Sequence, residues 1–254
     1  MTQIIPSVSQ WLDIRKSLSF DGKTIGFVPT MGALHAGHVS LLETSHKANA
    51  ISVLSIFVNP TQFNDPHDLR NYPRTLEADL ELAKQANVDF ILLPKDTEMY
   101  ADQYRFKIEE NQLSKRFCGA HRPGHFPGML TIVMKLLQLV RPTRAYFGEK
   151  DYQQYLLVKE MAEAFFLETQ IVACPTLRAD DGLALSSRNM LLSPEERKIA
   201  ADFPRILRMG LDLDHTRKTL ETNGFQVDYV EDFSDRRFGA VRIGQVRLID
   251  NVKT

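Results

Sequence analysis

The sequence predicts an α/β protein: a parallel sheet covered by helices on both faces, followed by a small α+β unit. Short apolar runs recur at 24–28, 51–58, 89–93, 145–148 and 170–173, and segments of helical periodicity lie between them at 39–47, 76–86, 129–140 and 155–166. Apolar strands separated by helices belong to parallel sheets buried on both faces. Beyond Ala173 the pattern gives way to a polar connection, a strongly capped helix and a tail alternating apolar with polar residues. The expected division is therefore into units 1–177 and 178–254.

Each element has its own signal. Ser7 is the N-cap expected for a first helix that buries Val8, Trp11, Leu12 and Leu18. The run Ile25-Gly26-Phe27-Val28 is a strand, and a glycine-containing turn leads from it into a helix carrying Val39, Leu41 and Leu42. Helix 129–140 gathers Met129, Ile132, Val133, Leu136, Leu137 and Val140 on one stripe, which reads as core or subunit interface. Interrupted by Thr131, Lys135 and Gln138, it is too short to span a bilayer. Ser193-Pro194-Glu195-Glu196 starts a helix, with Ser as N-cap, Pro at the first helical position and Glu closing a capping box. Runs 225–230, 240–243 and 246–249, with Gly244-Gln245 at a turn, predict a small antiparallel sheet.

Composition narrows the function classes. The 254-residue chain carries 31 Lys and Arg against 32 Asp and Glu, a net charge of -1, so no general affinity for nucleic acid is expected. Cys118 and Cys174, the two cysteines, are too few for a disulfide framework and read as free thiols in a reducing compartment. No secretory segment is visible at the start of the sequence. A soluble, cytoplasmic protein with neither membrane nor nucleic-acid partner is expected. Cys118, His121 and His125 have zinc-like spacing, but only three ligands are present, around an exposed-looking Arg122-Pro123-Gly124 loop; no metal site is assigned.

The chemistry concentrates in Met31, Gly32, Ala33, Leu34, His35, Ala36, Gly37 and His38, between the first sheet strand and its helix. Such a turn offers backbone N–H groups to an anion. Gly37 removes a side chain between His35 and His38, so both imidazoles can approach one phosphate, which suits reaction at a nucleotide α-phosphate. Asn59 and Gln62 follow the second of these strands, Gly148, Glu149, Lys150, Asp151 and Gln154 a later one, and Leu177, Leu185, Ser186, Ser187 and Arg188 the last. Ligands bind outside the carboxyl ends of parallel strands, so these four clusters predict one cleft.

These residues resemble a known family. Pro-Thr-Met-Gly-Ala-Leu-His-x-Gly-His, Phe-Val-Asn-Pro-Thr-Gln-Phe, Tyr72-Pro73-Arg74-Thr75, Phe-Gly-Glu-Lys-Asp-Tyr-Gln-Gln and Asp-Gly-Leu-Ala-Leu-Ser-Ser-Arg-Asn match, in order, the pantoate–β-alanine ligases of the H-x-G-H nucleotidyltransferase superfamily. The resemblance implies a Rossmann-like domain with a C-terminal lid, a homodimer, and three substrates: ATP with Mg2+, pantoate and β-alanine. It implies a pantoyl adenylate that β-alanine converts to pantothenate, releasing AMP. On this reading His35, His38, Lys150, Ser186, Ser187 and Arg188 are catalytic, with His38 favoured as proton donor. Met31 to His38, Gly148, Glu149, Lys150, Asp151, Leu177, Leu185, Ser186, Ser187 and Arg188 bind ATP. Gln62, Gln154 and Asn59 bind pantoate, and Gln62 also meets β-alanine.

Duller readings compete. A lone histidine at a helix start is more often a cap, Asn59, Gln62 and Gln154 could merely tie down loops, Lys150 and Asp151 form a solvated ion pair, and Ser186-Ser187 make an ordinary turn; the pairing of the histidines and the common placement at one sheet edge disfavour all of these readings together. Other adenylyl- or cytidylyltransferases are disfavoured because the second-substrate positions are amides, and an inactive nucleotide sensor because the whole motif set is intact. Ala36, Pro127 and Met129 depart from the family pattern, and the C-terminal unit is short.

Overall fold

The computed structural model describes residues 2–17 and 22–254; Leu18 lies outside the described residues. Among them, six strands form one parallel sheet: β1 (Gln3–Ile5), β2 (Ile25–Thr30), β3 (Ile51–Ile56), β4 (Phe90–Leu92), β5 (Arg144–Gly148) and β6 (Gln170–Cys174). Their order is β1-β4-β3-β2-β5-β6. The chain builds one half outward from β2 and then returns to add β5 on its other side, which makes β2/β5 the topological switch point. Those two strands pair only at Gly26↔Arg144 and Phe27↔Ala145 and then part. Pro29 falls beyond that pairing, where β2 lies against β3 alone at the Pro29↔Ser55 register, so its missing N–H breaks no ladder toward β5.

Successive side chains alternate between two cores. Phe27, Val53, Leu92, Ala145 and Phe147 meet Trp11, Met129 and Leu157 on one face, from α1 (Val8–Ser17), α7 (His125–Val140) and α8 (Tyr152–Ala164). Val28, Leu54, Ile91 and Tyr146 meet Leu42 and Ala83 on the other, from α2 (Ala36–Ala48) and α4 (Leu76–Gln85). Ser7 caps α1 as expected, accepting the Gln10 N–H at 3.2 Å. Trp11 is fully buried, while Val8 and Leu12 are half-buried. Three short helices, α3 (Pro66–Asn71), α5 (Asp96–Met99) and α6 (Cys118–His121), complete this part.

Two differences from the sequence reading have physical causes. Helix α7 begins at His125, four residues before the expected start, with Pro127 inside its first turn. A proline is tolerated there because the first N–H groups have no intrahelical acceptor anyway. The apolar stripe of α7 is buried within the chain's own core, from 0% exposure at Val140 to 6% at Val133, so it is core rather than subunit interface.

The C-terminal part comprises α9 (Pro194–Ala200), α10 (Asp202–Leu207), α11 (Leu213–Thr222) and an antiparallel sheet of β7 (Gln226–Phe233), β8 (Arg236–Ile243) and β9 (Val246–Lys253). The Ser193 capping box is present. Helices cover one face of the small sheet with Phe203, Leu207 and Leu220. Its other face joins the main core, where Phe117 stacks on Phe238 with ring centroids 4.8 Å apart. Both faces of β8 are therefore buried, which explains why its sequence does not alternate. The strand starts at Arg236, earlier than expected, because its two arginines are buried in pairs: Arg236 with Glu149 at 3.1 Å and Arg237 with Asp232 at 2.8 Å.

Candidate active site

The parting of β2 and β5 opens a cavity of about 230 Å³. All four clusters reach it: Met31, His35, Gly37 and His38 after β2; Asn59 and Gln62 after β3; Gly148, Lys150, Asp151 and Gln154 after β5; and Leu177, Leu185, Ser186, Ser187 and Arg188 after β6. Phe57, Met129, Ile132, Val133 and Leu136 supply an apolar wall.

His35 is the N-cap of α2 and closes a capping box with His38, so capping and cleft placement coincide. The Gly37 N–H donates to His35 Nδ1 at 3.1 Å, and the His35 N–H approaches His38 Nδ1 at 3.4 Å. With both Nδ1 atoms accepting, each neutral ring carries its proton on Nε2 and keeps that donor for a ligand. The rings lie 4.1 Å apart. Burial first, then Lys150, lowers the pKa of His35 to about 4; burial, then His35 and Lys150, lowers that of His38 to about 3. Both are neutral hydrogen-bond donors at pH 7 in the unliganded site. A Cβ at Gly37 would lie 2.9 Å from the His35 ring, so only glycine leaves that ring in place.

The turn before the histidines does not present a free anion cradle. The Gly32 N–H is spent on Thr30 Oγ1 at 3.2 Å, and those of Ala33 and Leu34 on the Asp79 carboxylate at 2.9 and 2.7 Å. Gly32, Ala33, Leu34 and Ala36 are absent from the cleft lining, because this backbone is turned toward Asp79 or away from the cavity. Asp79, only 2% exposed, was not legible as functional; its one signal is a carboxylate on the helix face that also carries Ala83.

Asn59 is 1% exposed and fully engaged. Its amide donates to Gln62 Oε1 at 3.0 Å and to the Gly128 carbonyl at 3.1 Å, while Oδ1 accepts from the Tyr100 hydroxyl at 2.6 Å and from Thr61 at 3.0 Å. Asn59 lines the cleft and holds the Gln62 side chain, leaving the Gln62 amide N–H groups, one directed at Met31 Sδ at 2.8 Å, on the cleft side. Gln154 lines the cleft, whereas neighbouring Gln153 is buried and holds the main chain of Leu113, Arg116 and Cys118.

Lys150 lies 3.7 Å from Asp151. Glu149 is directed away from the cleft to Arg236, and Asn251 donates to the Glu149 and Lys150 carbonyls at 2.8 and 3.0 Å, so the C-terminal sheet fixes this turn. Ser187 donates to the Ala33 carbonyl at 2.9 Å, Ser186 caps the short helical turn Ser187–Leu191, and Arg188 pairs with Asp68 at 2.8 Å over the Tyr72 ring. Arg122 and His125 also line the cleft. His125 donates from Nδ1 to the Gln62 carbonyl at 2.7 Å, while Cys118 faces Tyr229 at 3.2 Å, so these zinc-spaced residues diverge.

A parallel sheet with a cleft at its switch point and paired neutral imidazoles at a helix start suits an enzyme of the nucleotidyl-transferring class. A family model described as pantoate-beta-alanine ligase matches residues 3–253. A pantothenate synthetase of Legionella pneumophila (strain Lens) is 53% identical over 249 residues, 98% of each chain. The crystal structure of pantoate-beta-alanine ligase from Francisella tularensis, complexed with beta-gamma ATP and beta-alanine, superposes with a TM-score of 0.96 at 41% identity, covering 100% of this chain and 98% of that one. Pantothenate synthetase from Thermus thermophilus gives 0.89 at 38%, covering 100% and 99%. The chain belongs to the pantoate–beta-alanine ligase family and is a ligase of pantothenate biosynthesis. No helix among the described residues is long and apolar enough to cross a membrane.

Proposed function

We propose that the cleft carries out both halves of an ATP-dependent ligation of pantoate to β-alanine. A pantoate carboxylate oxygen attacks the α-phosphorus of ATP, the bond to the bridging oxygen breaks, and pyrophosphate leaves. The β-alanine amine then attacks the acyl carbon of pantoyl adenylate, forming the amide with loss of a proton and expelling AMP. Charge builds on the phosphoryl oxygens in the first half, and fixed donors stabilise it more there than in the ground state.

The observation that carries this reading is the histidine pair, two neutral rings with centroids 4.1 Å apart whose Nδ1 atoms are held by backbone N–H groups. Their Nε2–H groups serve the α-phosphate and the leaving phosphates. Lys150, Ser186, Ser187 and Arg188 take the β- and γ-phosphates, Asp151 the ribose, and Leu177 the adenine through its backbone. Gln62 and Gln154 hold pantoate, whose gem-dimethyl group suits the wall of Phe57 and Met129. Magnesium enters as part of the nucleotide substrate, carried by phosphate oxygens and water.

Residues 1–177 are read as the substrate-binding domain and 178–254 as a lid. The contacts of Phe238, Arg236 and Asn251 with the first part favour small adjustments over a wide swing. A cytoplasmic homodimer completes the proposal; exposed Phe165 and Phe166 offer apolar surface for such an interface. The test is pantoate-dependent exchange of labelled pyrophosphate into ATP. Exchange that ignores pantoate, or that needs a phosphorylated acceptor instead, overturns the reading.

A further inference from the structure

A second cavity, of about 380 Å³, adjoins the cleft and shares Arg122, Lys150, Asp151, Ser186 and Arg188 with it. Among the described residues, five cations surround the two spaces, and four have a carboxylate at hand: Lys150 with Asp151 at 3.7 Å, Arg188 with Asp68 at 2.8 Å, and Arg242 and Arg247 with Asp228 at 3.5 and 2.6 Å. Arg122 differs. Its partners are neutral: Nε donates to Asn64 Oδ1 at 3.2 Å, Nη1 to His125 Nε2 at 3.1 Å and Nη2 to the Gln62 carbonyl at 3.4 Å. A guanidinium has five N–H donors, so two remain, the number a carboxylate takes in a bidentate pair.

His125 keeps Arg122 uncompensated while fixing its position. Burial, and then Arg122 itself, holds the His125 pKa at about 3, so this ring is neutral. Its Nδ1–H is committed to the Gln62 carbonyl at 2.7 Å, and its Nε2 lone pair to Arg122. Burial and the Arg188 charge hold the Arg122 guanidinium well below the usual arginine range, and a bound anion relieves both effects.

The identity of that anion follows from the reaction. The ATP phosphates already have two histidines, Lys150, Ser186, Ser187 and Arg188. The pantoate carboxylate is the reacting group and is spent in the first half. The carboxylate of β-alanine is carried unchanged through the second half, and it must be fixed while the amine at the other end attacks. A neutral amide such as Gln62 cannot balance its charge, whereas Arg122 is bonded to the main chain of that same residue. Resting on the ligase reading above, we propose that Arg122 anchors the β-alanine carboxylate where the two cavities meet, oriented by neutral His125.

The proposal makes the carboxylate, not only the amine, a determinant of acceptor choice. Adenylate aminolysis, followed as AMP release, is compared for β-alanine and β-alaninamide in the wild type, Arg122→Gln and Arg122→Lys, with pantoate-dependent pyrophosphate exchange measured alongside. Losing charge-assisted hydrogen bonds should lower kcat/KM for β-alanine roughly 100-fold in Arg122→Gln and leave that for the amide within about threefold. Arg122→Lys should recover part of the preference. A wild type that uses both amines equally, or a variant that loses both equally, overturns the assignment without needing a fully active variant. A loss concentrated in exchange, with the β-alanine KM unmoved, also overturns it and assigns Arg122 to phosphate. Absence of exchange in the wild type refutes the ligase reading itself, a result distinct from either of these.

Discussion

Asp79→Asn should unseat both histidines without altering either. The Asp79 carboxylate accepts the Ala33 N–H at 2.9 Å on one oxygen, and the Leu34 N–H at 2.7 Å and the Thr75 hydroxyl at 3.0 Å on the other. Asparagine has one acceptor oxygen, so its least costly orientation keeps Leu34 and Thr75 and sets an NH2 group against the Ala33 N–H. An unmet buried N–H costs roughly 1–3 kcal/mol, and two bonds demoted from charge-assisted to neutral cost about 1 kcal/mol each. The sum, about 3–5 kcal/mol, corresponds to a Tm lowered by about 10 °C in a chain of this size. Residues 33 and 34 lead directly into His35, and a displacement of about 1 Å at a reacting centre costs on the order of 100-fold in rate. Thermal unfolding and pantoate-dependent exchange check the two parts. A variant with Tm within about 2 °C of wild type and undiminished exchange would refute the reasoning that Asp79 holds the turn.

Asn59→Ala removes the donor that sets the Gln62 amide, so the pantoate KM should rise roughly tenfold with the ATP KM little changed; equal rises in both would count against a positioning role. Gly128→Ala should give the same signature more severely, because the added Cβ would overlap the Thr61 carbonyl beneath Gln62; unchanged steady-state constants would contradict it. His38→Ala should cut the adenylation rate far more than it weakens pantoate binding, and equal losses would indicate a structural role. For pH dependence, the folded pKa values of His35, His38 and His125, about 4, 3 and 3, lie below the unfolded value of about 6.5. Between roughly pH 4 and 6.5 the unfolded chain binds more protons, so stability is complete above about 6.5 and falls as pH drops. Denaturant unfolding across that range should show the slope, and imidazole NMR at pH 6 should show neutral rings, Nε2–H tautomers for His35 and His38 and the Nδ1–H tautomer for His125; a flat profile or charged rings at pH 6 would contradict the assignment.

The sheet and the cleft were legible because apolar strands, helical periods and polar clusters at strand ends follow simple physical rules. Gln3–Ile5 escaped notice because three residues carry no periodicity. Arg236 and Arg237 disguised the start of β8, since a buried arginine is recognisable only with its partner. Within the site, residue type indicated His35, His38 and Gln62, but not which of them touch ligand and which are held in place by others. Asn59 is hydrogen-bonded to Gln62, Glu149 faces Arg236, and Asp79 takes the N–H groups that the turn seemed to offer to phosphate. These assignments depend on contacts such as the 46-residue separation between Ala33 and Asp79, which no local pattern encodes.

The central claim is that the pantoate carboxylate attacks the α-phosphorus of ATP within this cleft. Pantoate labelled with ¹⁸O in its carboxylate tests it in one turnover with ATP and β-alanine. One labelled oxygen should appear in the phosphate of AMP and none in pyrophosphate. Unlabelled AMP, or label in a released phosphate instead, would contradict the account.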